Sequence, residues 1–325
     1  MYTVEQTQEI VSQLFDNIHW DDEPTGLYAP IGYVLALGGK RIRPTLTLLA
    51  ANLFTDNIQS VTSAAIGLEV FHNFTLLHDD IMDKAPVRRN QPTVHMKWNE
   101  STAILSGDAM LIKAYQYIAQ IPEEKLTEAL ALFSKTALEV CEGQQLDMDF
   151  ESRKNVSEEE YLEMIRLKTA VLLAACLKIG ALVGGADAVD AQRLYDFGIN
   201  IGLAFQLKDD LLDVYGNPET FGKQIGGDIL CNKKTYLLIK ALDKADNSQN
   251  EKLAYWLSEE ETENPETKIK AVTEIYNQTG TKTICEEKMD EYFAIALSHL
   301  AKVNVQEEKK KQLSQLANKL MFREV

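Results

Sequence analysis

Between Pro122 and Pro218 the chain contains no proline, and its apolar and polar positions never settle into the every-second-residue alternation of a half-buried strand. The stretch therefore predicts helix after helix. Start signals agree: Pro122 precedes Glu123 and Glu124, and Ser157 with Glu160 forms a capping box ahead of "YLEMIRL". Repeated Ala, Leu, Glu and Lys favour helix intrinsically, whereas the β-branched runs of a sheet are missing. The most apolar segment, "TAVLLAACLKIGALVGGA", is interrupted by Lys178 and ends in glycines, so it predicts a buried helix and not a membrane span. The polar "DNSQNEKLAYWLSEEETENPETK" predicts a long surface excursion, while no linker or fixed-length repeat divides the chain. The pattern points to an all-α fold with one domain over residues 1–325.

Composition narrows the picture. A chain of 325 residues with 45% hydrophobic content can bury a large core. Lys and Arg total 33 against 49 Asp and Glu, a formal charge of -16, which argues against general affinity for nucleic acid or an anionic membrane. An anionic ligand must then be held by a local cluster of cations. Cys141, Cys176, Cys231 and Cys285 lie far apart with no CxxC pair, so neither a zinc site nor a disulfide framework is expected, and a reducing cytoplasm fits best. The opening "MYTVEQTQEIVSQLF" has neither the basic nor the apolar region of a secretory signal.

Two acidic boxes stand out. In "HDDIMD", Asp79 and Asp83 are four apart, which places both carboxylates on one helix face with Asp80 about 100° away. "FQLKDDLLDVYG" repeats the spacing with Asp209, Asp210 and Asp213. Two carboxylates about 5 Å apart repel by roughly 3 kcal/mol at an effective dielectric near 20, so each box wants cations. All-oxygen ligands suit Mg²⁺, commonly shared between one or two carboxylates and a substrate's phosphates. An exposed acidic helix end is the plainer reading of one such box; its repetition favours metal.

The positive charge gathers near these boxes. "LGGKRIRPTL" carries Lys40, Arg41 and Arg43 after a glycine pair, Arg88 and Arg89 follow the first box, and Lys223, Lys233 and Lys234 follow the second. Pro86 and Pro92 keep the Arg88–Arg89 segment from being regular helix. The planar fork of arginine suits phosphate oxygens. Carboxylates for metal beside cations for anion imply a polyanionic ligand such as a diphosphate. His72 lies seven residues before Asp79, nearly on the same helix face, where a ligand contact is favoured over a satisfied core histidine.

These motifs together resemble the trans-isoprenyl diphosphate synthases, the polyprenyl synthetase family. "GGKRIRP", "HDDIMD" followed by "RRNQPTVH", "GQQLDM", "LKTA", "FQLKDDLLD" and "GKQIGGDILCNKKTY" stand in the family's order across nearly the whole chain. The resemblance implies an all-α, single-domain bundle of long helices around a central cavity, of the isoprenoid synthase type. It further implies that Asp79, Asp83 and Asp209 bind Mg²⁺, three ions per active site, with Asp80, Asp210 and Asp213 supporting the array. Arg88, Lys168, Lys223 and Lys233 would contact an allylic diphosphate, and Lys40, Arg43, His72 and Arg89 would bind isopentenyl diphosphate. Thr169, Gln144 and Gln206 resemble positions that line the carbocation. Arg323 resembles a basic residue of the family's tail. Asn90 and Asn232 stand where the family usually has glycine; asparagine tolerates a left-handed backbone, so both loops are expected to keep their shape.

The implied activity is head-to-tail condensation of isopentenyl diphosphate with dimethylallyl, geranyl or farnesyl diphosphate. A homodimer is expected, with the apolar "STAILSGDAMLIKAYQYIA" compatible with a flat contact. Two rivals remain open: a non-catalytic partner subunit, which usually has damaged aspartate motifs, and a class I terpene cyclase, which has no need for "GGKRIRP". Product length follows from helix geometry if the prenyl tail runs back from Asp79. At 1.5 Å per residue, Thr75 lies about 6 Å below Asp79, Phe74 about 7.5 Å, Phe71 about 12 Å and Leu68 about 16 Å. Small Thr75 with bulky Phe74 and an uninserted "DDIMD" resembles the archaeal type of geranylgeranyl synthase, which implies a C15 to C20 product with C20 favoured.

Overall fold

The computed structural model describes residues 1–217, 225–258 and 264–321. The order begins α1 (Val4–Asp16), α2 (Thr25–Ala36), α3 (Ile42–Asn52), a 3₁₀ turn (Ile58–Val61) and α4 (Thr62–Met82). A small hairpin of β1 (Val87–Arg88) and β2 (Gln91–Pro92) leads to α5 (Val94–Lys97) and α6 (Glu100–Ile118). Next come α7 (Glu123–Ser152), α8 (Glu158–Ile165), a π turn (Arg166–Ala170), α9 (Val171–Val183) and α10 (Ala188–Tyr215). Helices Gly227–Leu230, Tyr236–Lys244, Asn247–Ser258, Pro265–Gln278, Thr281–Ala301 and Glu307–Met321 complete the order. The fold is all-α, as the proline-free pattern predicts. Among the described residues no helix is long and apolar enough to cross a membrane.

The predicted start signals work as read. Ser157 Oγ accepts from the Glu160 amide while the Glu160 carboxylate accepts from the Ser157 amide, which closes the capping box of α8. The apolar run is buried from Val171 to Leu177, and Lys178 turns out to Gln192 at 2.8 Å. Two local readings change. The polar stretch expected as a surface excursion is largely helical: Asp246 and Gln249 cap each other reciprocally, and Asn264 caps a helix that starts on Pro265. Its composition hides helices because these lie at the surface with mostly polar faces. The hairpin adds strand where only an irregular segment is legible, since Arg89 and Asn90 both take positive φ, 53° and 61°, the geometry of a two-residue primed turn.

By contacts the chain forms two compact units, each drawn from several segments. The first comprises Met1–Lys135, Leu173–Tyr195 and Leu300–Leu316. In it α4 packs along α6, and its core centres on Leu48, Leu68, Phe71, Met110 and Phe133, all close to fully buried. The second comprises Thr136–Leu172, Asp196–His299 and the chain from Ala317. Its core includes Phe197, Leu207, Tyr236 and Tyr276.

Candidate active site

In the first unit the acidic box ends α4. Asp79 is half-buried, Asp83 is the exposed C-cap residue, and Asp80 is buried. The hairpin turns Arg88 back onto the box. Its Nε lies 2.8 and 2.9 Å from the two Asp80 carboxylate oxygens, and its terminal nitrogen lies 2.8 Å from Asp80 and 3.6 Å from Asp79. Burial raises the Asp80 carboxyl above its usual range, Asp79 adds to this, and Arg88 opposes it. Asp80 is thus the internal partner that fixes Arg88, while Asp79 and Asp83 present the carboxylate face.

Arginines crowd the imidazole of His72. Its pKa is driven well below 6.5 by burial and then by the positive charges of Arg43, Arg89, Arg88 and Arg41, so it is neutral at physiological pH. The glycine pair explains part of this packing: at Gly39, with φ of 126°, a Cβ would stand 2.7 Å from the Arg89 guanidinium, which donates to the Gly38 carbonyl. Arg43 Nε is buried without a hydrogen-bond partner, and burial lowers the pKa of its guanidinium. Arg41 serves structure instead. It adopts left-handed φ of 45° as the N-cap of α3, pairs with buried Glu69 at 2.9 Å and donates to the Leu35 carbonyl. Lys40 is exposed at the rim of an open cleft of about 740 Å³ that Phe15, Trp20 and Gly38 also line.

Below the box, Thr75 Oγ1 donates to the His72 carbonyl at 2.8 Å. Phe71 and Phe74 are buried with ring centroids 5.6 Å apart, and Phe71 meets Phe133 edge-on at 5.3 Å, which in turn meets Tyr115 at 4.8 Å. Leu68 is fully buried. Phe133 and Tyr115 escape the sequence reading because they come from α7 and α6, with no motif to mark them.

In the second unit the π turn sets the site. An extra residue in a helical turn displaces Lys168 and Thr169 from regular spacing. Gly143 on α7 lets the turn approach, since any Cβ there would overlap the Lys168 backbone amide. Lys168 Nζ lies 2.6 Å from Asp147 Oδ2, and Lys233 Nζ lies 4.0 Å from the same oxygen. Thr169 Oγ1 donates to Gln206 Oε1 at 3.2 Å. Gln144 is half-buried one turn before Asp147. Asp147, Lys168, Thr169, Gln206 and Asp210 share a pocket of about 40 Å³.

The three aspartates of the second box differ. Asp209 is half-buried, whereas Asp210 is buried and accepts from the Tyr161 hydroxyl at 2.5 Å, the Tyr236 amide at 3.2 Å and the Gln206 amide at 3.4 Å. Burial, then Asp228, pushes the Asp210 carboxyl up to about 7. Asp213 accepts from the Asp228 amide at 3.1 Å. Asp147, Asp228, Tyr161 and Glu69 are the residues that motif reasoning missed. Asp147 and Asp228 could have been found, because they sit in the quoted "GQQLDM" and "GKQIGGDILCNKKTY". Lys223 and Arg323 lie outside the described residues.

Among the described residues no three His, Cys, Asp or Glu side chains converge as a ready-made metal cage. Mg²⁺ does not need one: one or two carboxylates with substrate phosphates suffice. In the first unit the all-oxygen pair Asp79 and Asp83 suits that ion.

A model of the polyprenyl synthetase family matches residues 24–276. The chain belongs to that family. It is 47% identical over 223 residues to a geranylgeranyl diphosphate synthase of Methanosarcina mazei, covering 68% of this chain and 69% of that one. A crystal structure of a geranylgeranyl pyrophosphate synthase superposes with a TM-score of 0.95 at 44% identity, covering 100% of both chains. The polyprenyl synthase of Caulobacter crescentus CB15, crystallised with calcium and isoprenyl diphosphate, is 29% identical with a TM-score of 0.88, covering 99% of this chain and 96% of that one. Asn90 and Asn232 hold φ of 61° and 54°, so both asparagines keep the left-handed backbone expected of them.

Proposed function

We propose that this chain is a Mg²⁺-dependent prenyltransferase that condenses isopentenyl diphosphate with dimethylallyl, geranyl and farnesyl diphosphate, with geranylgeranyl diphosphate as the main product. The observation that carries this reading is the arrangement within the first unit: a carboxylate pair at the end of α4, and a neutral His72 hemmed by arginines on the elements beside it. A carboxylate face that can take metal and a separate guanidinium cluster supply two diphosphates with distinct seats.

Arg43, His72 and Arg89, with Lys40 at the rim, seat isopentenyl diphosphate. A neutral imidazole can donate one hydrogen bond without adding charge to a pocket already rich in it. The allylic diphosphate is assigned Arg88 in the first unit and Lys168 with Lys233 in the second; Asp80 and Asp147 hold these cations in orientation. Asp79, Asp83 and Asp209 hold Mg²⁺, three ions per site by the family's pattern, with Asp210 and Asp213 as internal supports. When bound, the metal offsets the charge of the departing diphosphate and eases cleavage of the allylic C–O bond. Thr169 and Gln206 turn oxygen dipoles towards the cationic carbon, the isopentenyl double bond attacks it, and the released diphosphate takes the final proton.

Phe74, Phe71 and Phe133 close the space below small Thr75, which limits the product to C15–C20. Residues 1–325 act as one synthase domain, since the family match runs through segments of both units. The protein is a cytoplasmic homodimer: Leu105 and Ile112, each 60% exposed on α6, offer an apolar face for a second copy. Sedimentation at micromolar concentration tests the dimer, and a monomer there would refute it. The central experiment incubates the pure protein with Mg²⁺, isopentenyl diphosphate and an allylic primer. Elongated prenyl diphosphate supports the proposal; a cyclised hydrocarbon, or no product, overturns it.

A further inference from the structure

Lys268, the last residue of the polar stretch ending "NPETK", is 1% exposed on the helix Pro265–Gln278. An ammonium removed from water needs hydrogen-bonding partners. Lys268 Nζ donates to Asn232 Oδ1 at 2.8 Å, with the Leu230 carbonyl at 3.5 Å. Asn232 immediately precedes Lys233 and takes left-handed φ of 54°. Its side-chain nitrogen also reaches the Leu257 carbonyl at 3.4 Å.

The segment around Asn232 is held at both ends. At its start, the Gly226 and Asp228 amides donate to the Asp213 carbonyl, at 2.6 Å, and to its carboxylate, at 3.1 Å. At its finish, Thr235 caps the helix Tyr236–Lys244. Between these anchors the Lys233 amide bonds the Asp228 carbonyl at 2.9 Å, so the direction of Lys233 depends on the backbone of Asn232. The Asn232 side chain is the handle by which a buried cation grips that backbone from behind.

We infer that Lys268 is a positioning residue: its bond to Asn232 locks the left-handed turn that aims Lys233 at the allylic diphosphate. The inference rests on the reading of Lys233 given under Proposed function. It assigns Lys268 no contact with substrate, only control of a residue that has one. A charge-assisted bond to a side-chain oxygen is among the stronger contacts available for such a purpose. Glycine at residue 232 would hold positive φ without a side-chain tether, which gives the inference a distinctive signature.

The test compares full-length wild type with Lys268→Met, Asn232→Gly, their combination and Lys233→Ala. It measures kcat, the KM for each substrate, and amide exchange at Lys233. Lys268→Met is expected to raise the allylic KM about tenfold, to leave the isopentenyl KM within about twofold and to speed exchange at Lys233 about tenfold. In the combined variant both effects are expected to return to within about threefold of Asn232→Gly alone. Should Lys268→Met not fold, Lys268→Gln, which keeps a donor on a shorter stem, carries the same comparison. Unchanged exchange at Lys233, additive effects in the combination, or a parallel loss for both substrates would each overturn the inference. If exchange quickens while Lys268→Met and Lys233→Ala both leave the allylic KM unmoved, the tether stands and the role of Lys233 falls.

Discussion

The Asp147 carboxylate lies 2.6 Å from the Lys168 ammonium, a pair joined by a residue of α7 and one of the π turn. Burial alone would raise the Asp147 pKa, but the charges of Lys233 and Lys168 and the Lys168 hydrogen bond together bring it below 3.8. A depressed carboxyl contributes stability that is complete above its unfolded pKa and is lost as pH falls through the folded one. Asp147→Asn should therefore melt lower than wild type near neutral pH, and the gap should shrink as pH falls through and below 3.8. Thermal melts across that range check this; a constant gap would remove the pair as its cause.

His72 gives a sensitivity of the same sign in the weakly acidic range. Its folded pKa is well below 6.5, so the unfolded chain takes up the proton first as pH falls. Stability tied to this residue is present above 6.5 and declines below it. His72→Gln should flatten the decline in melting temperature between about pH 6.5 and pH 5. An imidazole NMR signal for His72 that shifts through pH 6.5 would contradict the neutral assignment.

The three aspartates of the first box should separate by kind of damage. Asp79→Ala and Asp83→Ala should each lower turnover at least about a hundredfold with little change in melting temperature, since they act on a leaving group. Asp80→Ala should also cost roughly 1–3 kcal/mol of stability, because Arg88 loses its bidentate partner. Steady-state assays and denaturant titrations on the same preparations check both; near-normal turnover in either of the first two variants removes the metal assignment.

Product length should follow volume below Thr75. Phe74→Ala should lengthen the product and Thr75→Phe should shorten it, while Phe71→Ala, at a fully buried ring, should cost about 3–5 kcal/mol of stability. Chromatography of dephosphorylated products reads the outcome. One chain length for wild type and both flanking variants would place the floor elsewhere.

Gly143→Ala should harm the second unit out of proportion to its size. The added methyl meets the Lys168 backbone and not the end of a flexible side chain, so nothing can swing aside. We expect a loss of about 1–3 kcal/mol and an increased allylic KM. Wild-type melting and kinetics in this variant would show that the π turn has room to spare.

Much of this was legible in the chain itself. The helical class follows from a proline-free, non-alternating stretch, and Asp79, Asp83 and Asp209 stand out because aspartates four apart after an apolar run are costly without a cation. What motif spacing cannot show is which member of a box faces inward. Asp80 and Asp210 share the chemistry of their neighbours, yet one is turned to Arg88 and the other to Tyr161, partners set by packing between distant segments. Tyr161 and Glu69 were invisible for the same reason. The π turn was hidden too, because "MIRLKTAVLL" reads as ordinary helix until the backbone bonds are traced.

That turn also restricts how the gene can vary. A helix with one surplus residue looks as though it could lose it and become regular. Removing one of Arg166–Ala170 would let the helix close into regular turns with its flanking faces still in register, but the wide turn that places Lys168 and Thr169 would be lost. The buried run that begins at Val171 would keep its face, and the damage would fall on the contact between Lys168 and Asp147. Substitutions here can be graded, but a single-codon deletion cannot: length at this point is as much a part of the enzyme's chemistry as the identity of its lysine.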